Sequence, residues 1–259
     1  MMKKWTTALL LGIFLLTLFL AGCGGSEPAK EQAKKVLRVG SETTYPPFEF
    51  QDEKSKEYVG FDLDLIRAVG NQMGYEIQIQ SMAFDGLIPA LEAGNIDALI
   101  SAMTITAERA KKVTFSQPYY KSGLAIMVRQ DNTDIKEFDD LTGKKIAVQI
   151  GTTGADEAAK IKDAKISTFN SAPEAFLELK AGGVDAVVND LPVNEYYITQ
   201  GGGQDAKIVG KALTSEDYGI ATAKKNTELA GQIDKALAEL KKNGEYEKIY
   251  VKWFGSKPQ

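Results

Sequence analysis

The sequence contains no histidine and a single cysteine. The first absence removes the commonest general base and the commonest metal ligand. The second excludes an internal disulfide and any cysteine-rich zinc site. Basic character is missing as well, with 31 Lys and Arg against 35 Asp and Glu and a formal net charge of −4. No basic stripe stands out, which excludes nucleic acid as a partner. The acidic pairs Asp62/Asp64 and Asp139/Asp140 lack the alternating oxygen ligands and glycine turn of a calcium loop, so they read as capping and surface charge. The run Gly201-Gly-Gly203 is not followed by a Lys-Ser/Thr pair and is a turn rather than a phosphate loop. No metal and no cofactor are therefore expected.

What is present begins at the N-terminus. Lys3 and Lys4 precede an apolar run over residues 8–20, short for a spanning helix, and small residues follow. That is the pattern of a secretory signal peptide, here residues 1–22. The junction Leu20-Ala-Gly-Cys23 resembles the lipobox of bacterial lipoproteins, which implies that Cys23 becomes the lipidated, palmitate-bearing first residue. An uncleaved anchor with an incidental cysteine is the alternative, and both readings export the protein and tether it to a membrane. Residues 23–35 are small, polar and charged, and read as a disordered tether.

From Val36 onward the pattern alternates. Residues 36–40 read as a strand and 60–69 as a helix with Leu63, Ile66 and Val69 on one face. Residues 75–80 read as a half-buried strand, 85–93 as a helix capped by Gly94, and 96–100 as a buried strand. This βαβαβ order predicts a mostly parallel sheet with helices on its faces. Residues 91–100 then find a near copy in residues 179–188, each a helix ending at Gly with a buried strand behind it. The second unit opens with a strand over 144–149, a loop over 151–154, a helix over 155–160 and the capping-box start Ser171-Ala-Pro-Glu174. Two mirrored α/β units predict two lobes that turn their strand-end loops toward a shared cleft. Residues 119–127 read as an extended crossing between them. Residues 228–242 and 246–254 read as closing helices.

One stretch organises the rest: Ser101-Ala-Met-Thr-Ile-Thr-Ala-Glu-Arg109. It is a strand end rich in hydroxyls that opens, with Thr106 as N-cap, into a short helix over 107–112. Free N–H groups and a helix dipole make such an end receptive to anions, and Arg109 adds a planar fork that suits a carboxylate. The stretch resembles the T-I-T-x-E-R signature of family 3 bacterial extracellular solute-binding proteins, which bind polar amino acids for ABC importers. The resemblance continues through Val39-Gly-Ser-Glu-Thr-Thr-Tyr-Pro-Pro-Phe-Glu-Phe50, Gly60-Phe-Asp-Leu-Asp-Leu65, Phe84-Asp-Gly-Leu-Ile-Pro-Ala-Leu91, Val184-Asp-Ala-Val-Val-Asn-Asp190 and Tyr250-Val-Lys-Trp-Phe-Gly255. It implies a two-lobed, type II periplasmic-binding-protein-like α/β fold. Lobe 1 would comprise residues 36–120 and 219–259, and lobe 2 residues 121–218. Two hinge crossings, near 119–124 and 215–220, would let the lobes close around a ligand.

A free amino acid is a zwitterion, so its binder needs an anion site and a cation site a few ångströms apart. The resemblance implies that Arg109, Thr104 and nearby N–H groups hold the α-carboxylate, and it places Ala102 among the ligand-binding residues. Asp190 would accept from the α-ammonium, although alone it also reads as a helix N-cap before Leu191-Pro192. Tyr45 and Phe84 match the family's aromatic walls, with a helix-stapling role open for Phe84. Glu42 stands where glutamine and basic-amino-acid binders carry Asp against the far end of the ligand. Gln149 stands where glutamine binders carry Lys, leaving a more acidic pocket that favours a cationic side chain. Thr152 and Thr153 either donate hydroxyls across the cleft or cap the helix that follows. Asn189 also faces the site by resemblance.

The expected function is an exported, monomeric lipoprotein on the outer face of the cell membrane or the periplasmic side of a membrane. It would bind a polar amino acid, arginine or lysine ahead of glutamine, and deliver it to the permease and ATPase of an ABC importer. Glutamine in the same role is the alternative ligand. The competing activity is an enzyme of the cyclohexadienyl (prephenate or arogenate) dehydratase type on the same fold, for which Glu42 is the only obvious proton donor. A sensor ectodomain would need an effector domain or a second membrane span, and neither is expected before the chain ends at Gln259.

Overall fold

Val39, Ala98 and Leu99 are fully buried, and burial on both faces places their strands in the middle of a sheet. The computed structural model describes residues 35–258, to which every structural statement here refers. The chain opens with β1 (Lys35–Ser41) and a small antiparallel sheet of β2 (Thr44–Tyr45), β3 (Glu49–Gln51) and β4 (Tyr58–Val59). Helix α1 (Phe61–Met73), β5 (Tyr75–Ser81), α2 (Leu87–Ala93) and β6 (Ala98–Leu99) follow. After α3 (Ala107–Lys112) and β7 (Val113–Phe115) the chain leaves through β8 (Tyr120–Ser122).

A second sheet is then built from β9 (Leu124–Arg129), β10 (Lys145–Gln149), β11 (Lys165–Phe169), β12 (Ala186–Asp190) and β13 (Ala206–Val209). Helices α4 (Thr153–Ala158), α5 (Ala172–Ala181) and α6 (Leu191–Thr199) connect its strands. The return passes through β14 (Glu216–Tyr218) to β15 (Ala221–Ala223), α7 (Thr227–Lys242) and α8 (Glu245–Phe254).

The two five-stranded sheets have the orders β5-β1-β6-β15-β7 and β11-β10-β12-β9-β13. In each, two parallel pairings are followed by two antiparallel ones. The protein is thus two α/β lobes with mixed sheets, joined by the antiparallel ribbon of β8 and β14. The internal repeat holds at the level of single bonds. Gly94 and Gly182 are both left-handed helix caps. Behind them, Asp97 Oδ2 accepts from the Arg38 N–H and Asp185 Oδ2 from the Lys145 N–H, each at 2.9 Å.

Several elements differ from the sequence reading. The 96–100 strand is confined to β6, because the chain turns out of the sheet at Ala102, whose φ is +44°. The 85–93 helix begins as a 3₁₀ turn over Phe84–Gly86. Thr152 caps α4 by accepting from the Ala155 N–H at 3.2 Å, which shifts that helix to Thr153–Ala158. The crossing over 119–127 is broken at Gly123 into β8 and β9, and Lys35, placed in the tether, belongs to β1. Asp62 is not surface charge: it is fully buried, while Asp64 accepts from Lys252 Nζ and Trp253 Nε1 at 2.6 and 2.8 Å. The signal peptide, Cys23 and residues 24–34 of the tether lie outside the described residues. Among the described residues no helix is long and apolar enough to cross a membrane, and no cluster of acidic, His or Cys side chains could hold a metal.

Lobe 1 packs its aromatic residues against the ribbon. Tyr120 stacks on Tyr218 and Tyr250 at 5.6 and 5.8 Å, and Phe48 meets Tyr120 edge-on at 4.9 Å. Phe48 also fixes the start of α1. Asp62 N–H donates to its carbonyl at 2.9 Å, and Gly60, at φ +138°, has no room for a side chain there. A Cβ on Gly60 would lie 2.0 Å from the Phe48 carbonyl oxygen. Gly60→Ala combines that collision with a strained backbone, so a loss of about 2 kcal/mol or more is expected. Chemical denaturation would measure it, and a loss within about 0.5 kcal/mol would remove the close approach as a requirement of the fold.

Candidate binding site in the interlobe cleft

The strand ends of both sheets converge. On lobe 1, Glu42 follows β1 and the 101–104 turn follows β6. The Glu42 N–H donates to Ser101 Oγ at 3.0 Å, and Ser101 Oγ donates to Glu49 Oε1 at 2.9 Å. The Ala102 N–H donates to Asp62 Oδ2 at 2.7 Å, so Ala102 faces the cleft with its amide already committed. Thr106 caps α3 by accepting from the Arg109 N–H at 3.1 Å, the role its position predicts. The Arg109 guanidinium donates to the Thr104 carbonyl at 2.8 Å and, across the cleft, to the Gly151 carbonyl at 2.9 Å. Its carbon sits 5.4 Å from the centre of the Phe84 ring, a cation–π distance. Burial lowers the Arg109 pKa, while Asp190, Asp156 and Glu216 oppose that shift. An arginine stays charged under such a balance.

Lobe 2 supplies the opposite wall. Gln149, at the end of β10, donates to the Asn170 carbonyl at 3.1 Å and faces Glu42 across the cleft. Burial raises the Glu42 pKa, and the hydrogen bonds from Thr44 and Gln149 counter it. Asp190 occupies the N-cap position of α6, yet its side chain makes no capping bond. Its Oδ2 instead lies 2.9 Å from the Tyr45 hydroxyl and 2.5 Å from that of Tyr218. Burial lifts its pKa to about 7 against the pull of those phenols, with Glu216 adding to the rise and Arg109 opposing it. The Tyr45 hydroxyl also lies 2.8 Å from Asn189 Oδ1, which puts Asn189 one layer behind the wall.

Glu42, Tyr45, Phe84, Ala102, Thr104, Arg109, Gln149, Thr152, Thr153 and Asp190 all line one narrow cavity, and so does Ser101. Its open space is only about 10 Å³, because hydrogen-bonded side chains of both lobes meet across it. Of the eleven residues named from sequence, only Asn189 is absent from the lining. Ser101 was inside the organising stretch but carried no distinguishing feature. Glu216 was missed altogether. It is buried, and its Oε2 accepts from Thr104 Oγ1 of lobe 1 at 2.6 Å and from Thr153 Oγ1 of lobe 2 at 3.0 Å. Oε1 accepts from Thr214 at 3.1 Å.

Residues 37–256 match the bacterial extracellular solute-binding proteins, family 3. The chain belongs to that family. Among its relatives, the arginine-binding extracellular protein ArtP of Bacillus subtilis (strain 168) is 34% identical over 256 residues, 98% of either chain. The structure of an ancestral arginine-binding protein bound to arginine is 48% identical, with a TM-score of 0.83 over 86% of this chain and 100% of that one. An ancestral arginine-binding protein bound to glutamine is also 48% identical, with a TM-score of 0.81 over 87% and 100%. This family 3 protein therefore shares both sequence and two-lobed architecture with binding proteins.

Glu216 ties the two lobes of this family 3 protein through three threonine hydroxyls. Glu216→Ala leaves those donors without their acceptor and should destabilise the protein by about 1–3 kcal/mol. Glu216→Gln keeps one acceptor oxygen and should lose less. Urea denaturation of both variants checks the order, and equal, negligible losses would show that Glu216 carries no tie.

Proposed function

We propose that the cleft binds a free basic amino acid, arginine or lysine in preference to glutamine, and delivers it to the permease and ATPase of an ABC importer. One observation carries the reading. The cavity wall holds a carboxyl from each lobe, Glu42 and Asp190, against the guanidinium of Arg109. A zwitterion uses one carboxyl and the guanidinium, and the second carboxyl remains for a cationic side chain. Arg109 and Thr104 take the α-carboxylate and Asp190 the α-ammonium. Glu42, with Gln149 beside it, takes the far end, between the rings of Tyr45 and Phe84. Thr152 and Thr153 position the opposite wall, the first as a helix cap and the second through Glu216. Asn189 acts through Tyr45. The similarity to arginine-binding proteins supports this assignment.

Because the anion and cation sites sit on different lobes, full engagement of the ligand requires both lobes together. Binding therefore favours the closed arrangement by its differential affinity. The signal sequence and lipobox support export, with a lipid on Cys23 holding the protein at the membrane as a monomer.

Calorimetry with arginine, lysine and glutamine tests the reading. In Glu42→Gln the charge is removed while size and hydrogen-bonding capacity stay. Arginine should lose on the order of 2–5 kcal/mol, as for one side of a buried charge pair. Glutamine exchanges one acceptor for another and should lose at most about 1–2 kcal/mol. Equal small losses for both ligands would overturn Glu42 as the specificity residue and the preference for basic ligands with it.

Asp190 sets the pH dependence. Its pKa is raised to about 7 from about 3.9 in an unfolded chain. Its contribution to the stability of the ligand-free protein is therefore full below pH ~4 and is lost as pH rises through about 7. An ammonium ligand needs the ionised form, so affinity should rise up to about tenfold per pH unit from pH 5 and level off above about 7. Isothermal titrations across that range read the slope. A flat profile would remove Asp190 as the ammonium partner.

A further inference from the structure

Glu49 and Asp62 lie beneath the 101–104 turn and have no part in the roles assigned above. Both are fully buried. Each commits one oxygen to the turn or its supports. Glu49 Oε1 accepts from Ser101 Oγ at 2.9 Å, and Asp62 Oδ2 accepts from the Ala102 N–H at 2.7 Å and the Tyr119 hydroxyl at 2.6 Å. The remaining oxygens, Glu49 Oε2 and Asp62 Oδ1, are buried without a donor among the described residues. The two side chains are within hydrogen-bonding reach of each other. Two ionised carboxylates cannot face each other in a dry interior, because burial and mutual repulsion both disfavour the second charge. A single proton between them removes one charge and satisfies both stranded oxygens at once.

We propose that Glu49 and Asp62 share one proton at physiological pH, carried on Glu49 Oε2 and donated to Asp62 Oδ1, and that this pair is the positioning element of the 101–104 turn. The proton belongs to Glu49 because a backbone N–H and a phenol already favour the anion of Asp62, whereas a lone hydroxyl donates to Glu49. The ionised Asp62 in turn holds Ala102 at φ +44°, a conformation costly for a residue with a side chain. Ser101 extends the same linkage to the backbone of Glu42. The groups facing the pair are Glu42 and the phenols of Tyr45, Tyr119 and Tyr246. Burial is the largest influence on both carboxyls and raises both.

The positioning role rests on the proposed function of the cleft, but the shared proton does not, and the test separates them. Glu49→Gln mimics the protonated side chain: its amide donates to Asp62 and its carbonyl accepts from Ser101. An unfolded Glu titrates near pH ~4.3, so above that pH the wild-type protein takes up a proton on folding and the variant does not. A raised folded pKa gives stability that is full below the unfolded pKa and falls as pH rises toward the folded one. The folding constant of Glu49→Gln relative to wild type should therefore grow about tenfold per pH unit between pH 5 and 7. Asp190 and the other titrating groups are common to both proteins, and Asp62 meets a donor in both, the Glu49 proton or the Gln amide, so they cancel. Parallel stability curves would overturn the shared proton.

Infrared spectroscopy provides a second arm that needs no folded Glu49 variant. In the Glu42→Gln, Asp190→Asn protein, a carboxylic-acid stretch should persist at pH 7.4, and its absence would overturn the proposal. For the positioning role, Glu49→Leu, which serves neither Ser101 nor Asp62, should weaken arginine binding tenfold or more, with Glu49→Gln restoring most of that loss. Unchanged affinity in Glu49→Leu would leave the shared proton standing and remove its link to the cleft. Absence of arginine binding by the wild type would count against the proposed ligand alone.

Discussion

Glu42, Glu49, Asp62, Asp190 and Glu216 are all buried in or beneath the cleft, set against the half-buried guanidinium of Arg109. Buried carboxyls must be paired, hydrogen-bonded or protonated. These five are handled in four ways. Asp190 is wrapped by two phenols, Glu216 by three threonines, and Glu42 by Thr44 and Gln149. Glu49 and Asp62 face each other. Much of the local structure follows from these obligations, including the left-handed turn at Ala102 and the free N-cap of α6.

The lobes meet through polar side chains in the cleft and through an apolar contact beside it, where Phe50 lies 6.2 Å from Tyr196. Arg109 reaches Gly151, Tyr45 reaches Asp190, and Glu216 holds Thr104 and Thr153. Contacts of this kind exchange readily for water, since a protein–protein hydrogen bond is worth only about 0.5–1.5 kcal/mol net.

The internal duplication was legible because its signals are local: a helix ending at Gly, an Asp, and an apolar run, repeated as 91–100 and 179–188. So was the cap at Thr106, and most of the cavity lining follows from the resemblance. The deeper groups were not legible. Asp62 stands in the first turn of a helix, where acidic residues are ordinary, and only tertiary packing against Phe48 drives it inside. Its partner Ala102 is 40 positions away in the chain. Glu216 sits in a three-residue strand whose pattern gives no hint of burial. The strands β2 to β4 are too short for periodicity to register. Helix α6 begins at Leu191-Pro192 and buries only Val193 and Asn194, so it shows no apolar stripe.

The aromatic packing on the ribbon has a mechanical side. Tyr120 and Tyr218 are clamped between Phe48, Tyr250 and Phe254, all residues of lobe 1. At the far end the clamp gives way to close backbone approach and one hydroxyl: a Cβ on Gly123 would lie 2.2 Å from the Thr214 carbonyl oxygen, and Thr214 Oγ1 accepts from the Leu124 N–H at 2.9 Å. The ribbon is therefore held asymmetrically, its rings set in lobe 1 and its other end carried by close backbone approach. Asp190 joins the two supports, since its carboxyl accepts from the ribbon's own Tyr218 hydroxyl, so one side chain belongs at once to the wall of the cleft and to the joint between the lobes.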